Sequence, residues 1–238
     1  MGVPMVSAAQ AAAAGDSNPY SRRNTFAVFA EYSNDSSHIV LGVSPNRKIG
    51  AIGAMYERRL IASRYVAWSY VATFRPFIVN SDPSANVTQT ISINGMNFGS
   101  VTASGVVLQC FAGTQTSAVP GGGGVETMTD VTTCTRQNTL AQGASPVGFR
   151  LNFIPRRPLQ LTVSSNVGYI FATKPIPVPN AGAFNFTFEF GAGLEYFYKA
   201  HKSMRLEYVV QHYSNAYTAT SNPGVDSGFV KLTYGFGK

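Results

Sequence analysis

Charge is scarce in this 238-residue chain. Asp, Glu, Lys and Arg together make up 12% of it, about half the share usual in a soluble protein, against 45% apolar residues. That is too little charge to cover a soluble globule comfortably. Long apolar runs are also missing: no stretch approaches the ~18 residues that a membrane-spanning helix needs, and mean hydropathy is only +0.02. A membrane protein of this composition has to be a closed β-barrel, because in lipid only helices and closed barrels satisfy every backbone group. Basic residues outnumber acidic ones by 18 to 11, but they are scattered in short pairs such as Arg22-Arg23, Arg58-Arg59 and Arg156-Arg157. Without a basic helix or stripe, no nucleic-acid partner is expected, and attraction to anionic lipid headgroups accounts for the sign. His, Cys and Asp form no cluster at ligand spacing, so neither a metal nor a cofactor is expected.

What the chain has in quantity is Phe, Tyr and Gly, set in a rhythm of two. From Phe184 to Tyr198 the even positions are Phe184, Phe186, Phe188, Phe190, Ala192, Leu194, Tyr196 and Tyr198. Asn185, Thr187, Glu189 and Glu195 lie between them. Alternation over such a length far exceeds the ~5–6 residues of an ordinary strand and suits a tilted membrane strand. The same alternation runs through 159–171, 147–153 and 66–74, more weakly through 24–33 and 48–60, and again through 203–214 and 226–236. Eight strands result. The predicted fold is all-β: an eight-stranded antiparallel transmembrane β-barrel of outer-membrane type with one long extracellular loop insertion.

Connections alternate in length. Short turns fall near Ile61–Arg64, Pro155–Pro158 and Lys199–Lys202; longer loops span about 34–47, 79–145, 175–183 and 215–225. This asymmetry places the termini on the periplasmic side and the long loops outside. Residues 1–22, with an Ala tract, read as a leader or residual signal segment. Residues 23–238 form a single barrel domain with an extracellular insertion at 79–145, rich in Ser, Thr, Gly and Asn. The insertion is expected to hold extra β-hairpins, acting as a surface cap or a mobile lid. Cys110 and Cys134 flank its Gly121–Gly124 run. They are expected to form one disulfide in an oxidising compartment, with two free thiols as the alternative.

Parity also sorts the polar residues. Glu57, Arg75, Arg150, Glu189, Glu195, Arg205 and Lys231 fall on inward positions, where they read as a salt-bridged lumen plug. His212 and Ser214 instead share the lipid-facing side of strand 203–214 with Met204, Leu206 and Tyr208. Counting back from Val230 and Leu232 on the last strand brings Asp226 to that same side. Ionisable groups at membrane depth are costly and call for a reason. A Ser–His–acid set supplies one: His212 takes the Ser214 proton, and Asp226 orients the imidazole and stabilises its charged form. Asn215 is the candidate oxyanion donor, through its side-chain amide. Ordinary loop-edge polarity is the alternative, and no Gly-x-Ser-x-Gly elbow surrounds the serine. His38 and His201 are solitary and read as solvated polar residues.

The run His212-Tyr213-Ser214-Asn215-Ala216, with Asn222-Pro223-Gly224 before a short last strand, resembles the lipid A 3-O-deacylase (PagL) family of outer-membrane acyl hydrolases. The resemblance is greatest over about 184–236; residues 24–75 match in strand pattern only, and the 79–145 insertion is not expected from the family. It implies an eight-stranded barrel in the bacterial outer membrane, with Ser214 as nucleophile, His212 as general base, Asn215 as oxyanion donor and an acid on the last strand. The family's familiar acid is Glu; here Asp226, one methylene shorter, takes its place. The implied activity is that of a cofactor-free serine esterase removing a fatty acyl chain from lipid A of lipopolysaccharide in the outer leaflet, as a monomer or homodimer. Arg47 and Lys48 are candidates to meet lipid A phosphates. Two other readings stay open: a non-enzymatic small barrel with surface-binding loops, and a soluble lipid-binding barrel with its apolar residues inside.

Overall fold

A computed structural model describes residues 18–34, 36, 39–119 and 126–238; residues 1–17 of the leader, His38 and Gly121–Gly124 lie outside the described residues. Among the described residues there are ten strands: β1 (Asn24–Ser33), β2 (Lys48–Ala62), β3 (Val66–Ile93), β4 (Met96–Val106), β5 (Gly113–Val119), β6 (Glu126–Phe153), β7 (Leu159–Ala172), β8 (Phe184–Lys199), β9 (Lys202–Ser214) and β10 (Val225–Gly237). Antiparallel pairing runs β1-β2-β3-β6-β7-β8-β9-β10 and returns from β10 to β1, closing a ring of eight. Closure removes every free edge from the ring.

The pleat puts alternate side chains on opposite walls, and the sequence uses this consistently. On β8, Phe184, Phe186, Phe188, Phe190, Leu194 and Tyr196 point outward and are exposed, whereas Asn185, Thr187, Glu189 and Glu195 are buried. β7 and β9 follow the same rule. An apolar outer belt around a charged interior is the pattern of a transmembrane barrel and the inverse of a soluble lipid-binding one.

The lumen is filled, not open. Arg75 bridges Glu31 and Glu189 at 2.6 and 2.7 Å, and Lys231 reaches Glu31 at 3.5 Å. Arg150 and Arg205 converge on Glu57, and both also approach Glu207. Each charge thus has a partner where an unpaired one would be costly. The Phe29 ring lies 4.0 Å from Lys231 Nζ and 5.4 Å from the Arg75 guanidinium carbon. Towards the long-loop end, Ile49, Ile78, Ile170, Ile176, Tyr213 and Phe229 belong to an apolar cluster. Residues 18–22, which composition groups with the leader, pack across the short-turn end. Arg22 donates to Glu195 at 2.5 Å, and the Tyr20 ring meets Phe197 edge-on.

β3 and β6 are each 28 residues long. At ~3.3 Å per residue this far exceeds the ~30 Å hydrocarbon core. Beyond the ring they stay paired as far as Ile93 and Glu126, with β4 and β5 added on their outer edges as a four-stranded blade. The 79–145 insertion therefore holds the extra β-hairpins expected of it, built from the outward runs of β3 and β6 with β4 and β5. Its Ser and Thr content reads as loop by composition, yet Thr is a good strand former and threonines face one another at Thr88–Thr102 and Thr116–Thr129. Cys110 and Cys134 are disulfide-bonded, tying the β4–β5 connection to β6. Pro76 and Pro146 lack the N–H a ladder requires, and both fall within register shifts of β3 and β6.

Candidate active site

The site forms on the outer wall at the long-loop end, where β9 finishes and β10 begins. His212 and Asp226 are direct partners across the β9–β10 pair. Their side chains meet on the outer side, with His212 Nδ1 2.6 Å from Asp226 Oδ1. With Nδ1–H donated to the carboxylate, the Nε2 lone pair is left to accept a proton. His212 is partly exposed, whereas Asp226 is 1% exposed.

Burial of Asp226 comes from the β1–β2 loop, which folds down over the start of β10. The backbone N–H groups of Ile39, Val40 and Gly42 all donate to Asp226 Oδ2, at 3.0, 2.5 and 2.9 Å. Val43 N–H donates to the Pro223 carbonyl at 3.0 Å, fixing the loop to the β9–β10 connection. Gly42 has no alternative residue here: a Cβ would lie 2.4 Å from Asp226 N and 2.8 Å from the Val225 carbonyl carbon. Gly224 does the same for the imidazole. Its φ of +60° suits glycine, and a Cβ there would sit 3.1 Å from His212 Cε1.

Ser214 lies two residues beyond His212 on the same wall, half-exposed and opposite Phe186. Among the described residues its hydroxyl makes no hydrogen bond. The structure therefore brings His212 and Asp226 together and sets Ser214 two residues away on the same face, without a hydrogen bond to His212.

Asn215 is a correction to the sequence reading. It is almost completely buried, and its amide donates to the carbonyls of Ala181 and Ser221. Its Oδ1 accepts from Tyr217 N–H, and its own N–H donates to Asn222 Oδ1. With both amide hydrogens committed, the side chain staples the β9–β10 loop to the β7–β8 loop and has no donor left for an oxyanion. The following residues, Ala216 and Tyr217, have φ of +51° and +61°, an uncommon conformation for non-glycine residues. Among the described residues the Ala216 N–H has no partner.

Arg47 is the second correction. Its side chain is completely buried: the guanidinium donates to the carbonyls of Pro45, Val107, Leu108 and Pro177 and faces Asp82 at 3.1 Å. It ties three loops together and cannot meet a phosphate. Burial pushes the Asp82 carboxyl up to about 6 despite that neighbour. Lys48 remains half-exposed at the rim. His201, half-exposed, hydrogen-bonds the Ser21 carbonyl at the short-turn end, far from Ser214. No group of three His, Cys, Asp or Glu suited to a metal occurs among the described residues. The contribution of Ile39, Val40 and Gly42 carries no signal in the sequence. Gly224 sits in Asn-Pro-Gly, which does announce a turn.

The molecule is thus a membrane-type β-barrel with a polar Ser, His and Asp set on its lipid-facing wall. The family model for lipid A 3-O-deacylase (PagL) matches residues 105–236, more than half of the 238. The chain belongs to that family. The match starts within β4, so it takes in part of the insertion. Among solved structures, the chain is similar to the crystal structure of Neisserial surface protein A (NspA), at 9% identity and TM-score 0.45, over 90% of this chain and 97% of the other. It is also similar to the crystal structure of the outer membrane enzyme PagL, at 12% identity and TM-score 0.42, over 90% and 99%. No curated protein matches the sequence.

Proposed function

We propose that this protein is a bacterial outer-membrane esterase that hydrolyses an ester-linked fatty acyl chain of lipid A, with its long-loop end outward. The observation that carries the reading is the 2.6 Å His212–Asp226 contact on the apolar wall, with Ser214 two residues away on the same face. A substrate held in the outer leaflet presents its ester at that depth. Ser214 Oγ attacks the ester carbonyl while His212 Nε2 takes its proton. The Ala216 N–H, unpartnered and next but one to the nucleophile, is the donor we assign to the oxyanion. The tetrahedral intermediate collapses as His212 returns the proton to the departing sugar oxygen, leaving an acyl-Ser214. Water, deprotonated by His212, adds to the acyl carbonyl; the acyl–Oγ bond then breaks as His212 returns the proton to Ser214 Oγ, and the fatty acid leaves. Asp226 stays ionised throughout and holds the imidazole in the required tautomer.

Mass spectrometry of lipid A from cells expressing the wild type or Ser214→Ala tests this. Loss of one ester-linked acyl chain with the wild type and not with the variant is expected; an unchanged acyl pattern with the wild type sinks the reading. The exposed blade of β3–β6 favours a second reading, a barrel that binds a surface partner. That reading requires function to survive Ser214→Ala and to vanish when the blade is removed.

A further inference from the structure

The acid of the set is held by a part of the chain that the family match does not cover. Asp226 is buried although it stands on the outer wall, and what buries it is the β1–β2 loop. Three successive features of that loop point at one oxygen: the N–H groups of Ile39, Val40 and Gly42 converge on Oδ2. Such a convergence of backbone N–H groups forms a small anion-binding concavity. Saturating Oδ2 leaves Oδ1 as the atom that faces His212 Nδ1. The loop reaches this position only because residue 42 lacks a Cβ, which would strike the backbone of Asp226 and Val225.

We propose that the Ile39–Gly42 segment is the positioning element of the catalytic acid: its amides fix the rotation and charge of the Asp226 carboxylate, and Gly42 is the residue that makes this approach possible. The inference rests on the reading of Asp226 as the triad acid. The three amides and the bare backbone of Gly42 act on Asp226 alone. Their disturbance therefore lowers the rate of the chemical step while leaving substrate binding in place. The effect also disappears once Asp226 is gone, a dependence that a general structural role does not produce.

The test is a double-mutant cycle on the full-length protein folded in outer membranes, with lipid A as substrate. Four proteins are compared: wild type, Gly42→Ala, Asp226→Ala and the double variant. Val40→Pro is a further variant that deletes one donor without adding bulk at position 42. Heat-modifiable gel migration confirms that each barrel is folded. Triads lacking one member keep a measurable residual rate, so all corners of the cycle can be read. Gly42→Ala is expected to lower kcat about tenfold or more with KM within about twofold, Val40→Pro to act in the same direction, and Gly42→Ala to cost less than about twofold in the Asp226→Ala background. An equal cost in both backgrounds, or wild-type kcat in Gly42→Ala, overturns the inference and leaves the triad standing. Should Gly42→Ala not fold, Val40→Pro takes its place in the cycle, and the same outcomes decide. Full activity in Asp226→Ala and in Ser214→Ala overturns the underlying reading, and this one with it.

Discussion

His212 and Asp226 face each other as direct cross-strand partners of β9 and β10, joined at 2.6 Å on the mainly apolar outer wall of the barrel. The pair is held from both sides. Three loop amides close over the carboxylate, and the bare backbone of Gly224 lies against the imidazole.

The fit around Asp226 is tight enough to discriminate between carboxylates. Asp226→Glu adds a methylene where the side chain is already enclosed by the 39–42 backbone. Initial-rate measurements on lipid A are expected to show a loss of about tenfold or more, despite the retained charge. Asp226→Asn is expected to be worse, by roughly 10²–10⁴-fold in kcat, because the amide favours the wrong imidazole tautomer.

Asn215 separates a staple from an oxyanion donor. As a staple it needs its two N–H bonds to the Ala181 and Ser221 carbonyls. Asn215→Asp removes both donors and places a charge against those oxygens. Activity is expected to fall about tenfold or more, and protease cleavage within 215–224 to increase while the barrel stays folded.

The lumen supplies a stability prediction. Glu57 accepts from both Arg150 and Arg205. Glu57→Ala leaves these two buried guanidinium groups short of a carboxylate and is expected to cost about 3–5 kcal/mol. The measurement is the temperature at which the folded band is lost on unheated gels. Arg58→Ala, at the neighbouring position of opposite parity, is the control and is expected to change little.

The β1–β2 loop carries apolar side chains outward beside the site, with Leu41 the most exposed at 76%. Leu41→Ser leaves the three amide bonds intact and removes apolar surface from the loop tip. A higher KM for lipid A in vesicles, by about two- to tenfold with unchanged kcat, is expected from the lost contact with acyl chains.

Cys110 and Cys134 lie in the blade, away from the ring. Cys110→Ser with Cys134→Ser is expected to loosen the β4–β5 connection, seen as faster proteolysis at 107–112. Deacylation is expected to stay within about twofold of wild type, since no blade strand contributes a residue to the site.

Much of this molecule is written into the sequence at the level of parity. The pleat makes side-chain facing a local property, so Glu189, Arg205 and Lys231 fall inside, and Phe186, Phe188 and Leu206 outside, without knowledge of any partner strand. The same count sets His212, Ser214 and Asp226 on one wall. Strand ends were legible where turns were short. Extra hairpins within 79–145 were legible too, but not that they are outward continuations of the ring strands β3 and β6, because that depends on the pairing of those two strands with each other.

What parity cannot supply is which residue stands opposite which, and which loop comes down on top. Ile39 and Asp226 are 187 residues apart in sequence, and their hydrogen bond exists only because ring closure makes β1 and β10 neighbours. The burial of Arg47 beneath three loops and the commitment of the Asn215 amide to Ala181 have the same origin. Side-chain facing follows from each strand's own pleat. The partners of a loop backbone or an amide group follow from contacts between distant segments, and only the closed barrel determines those.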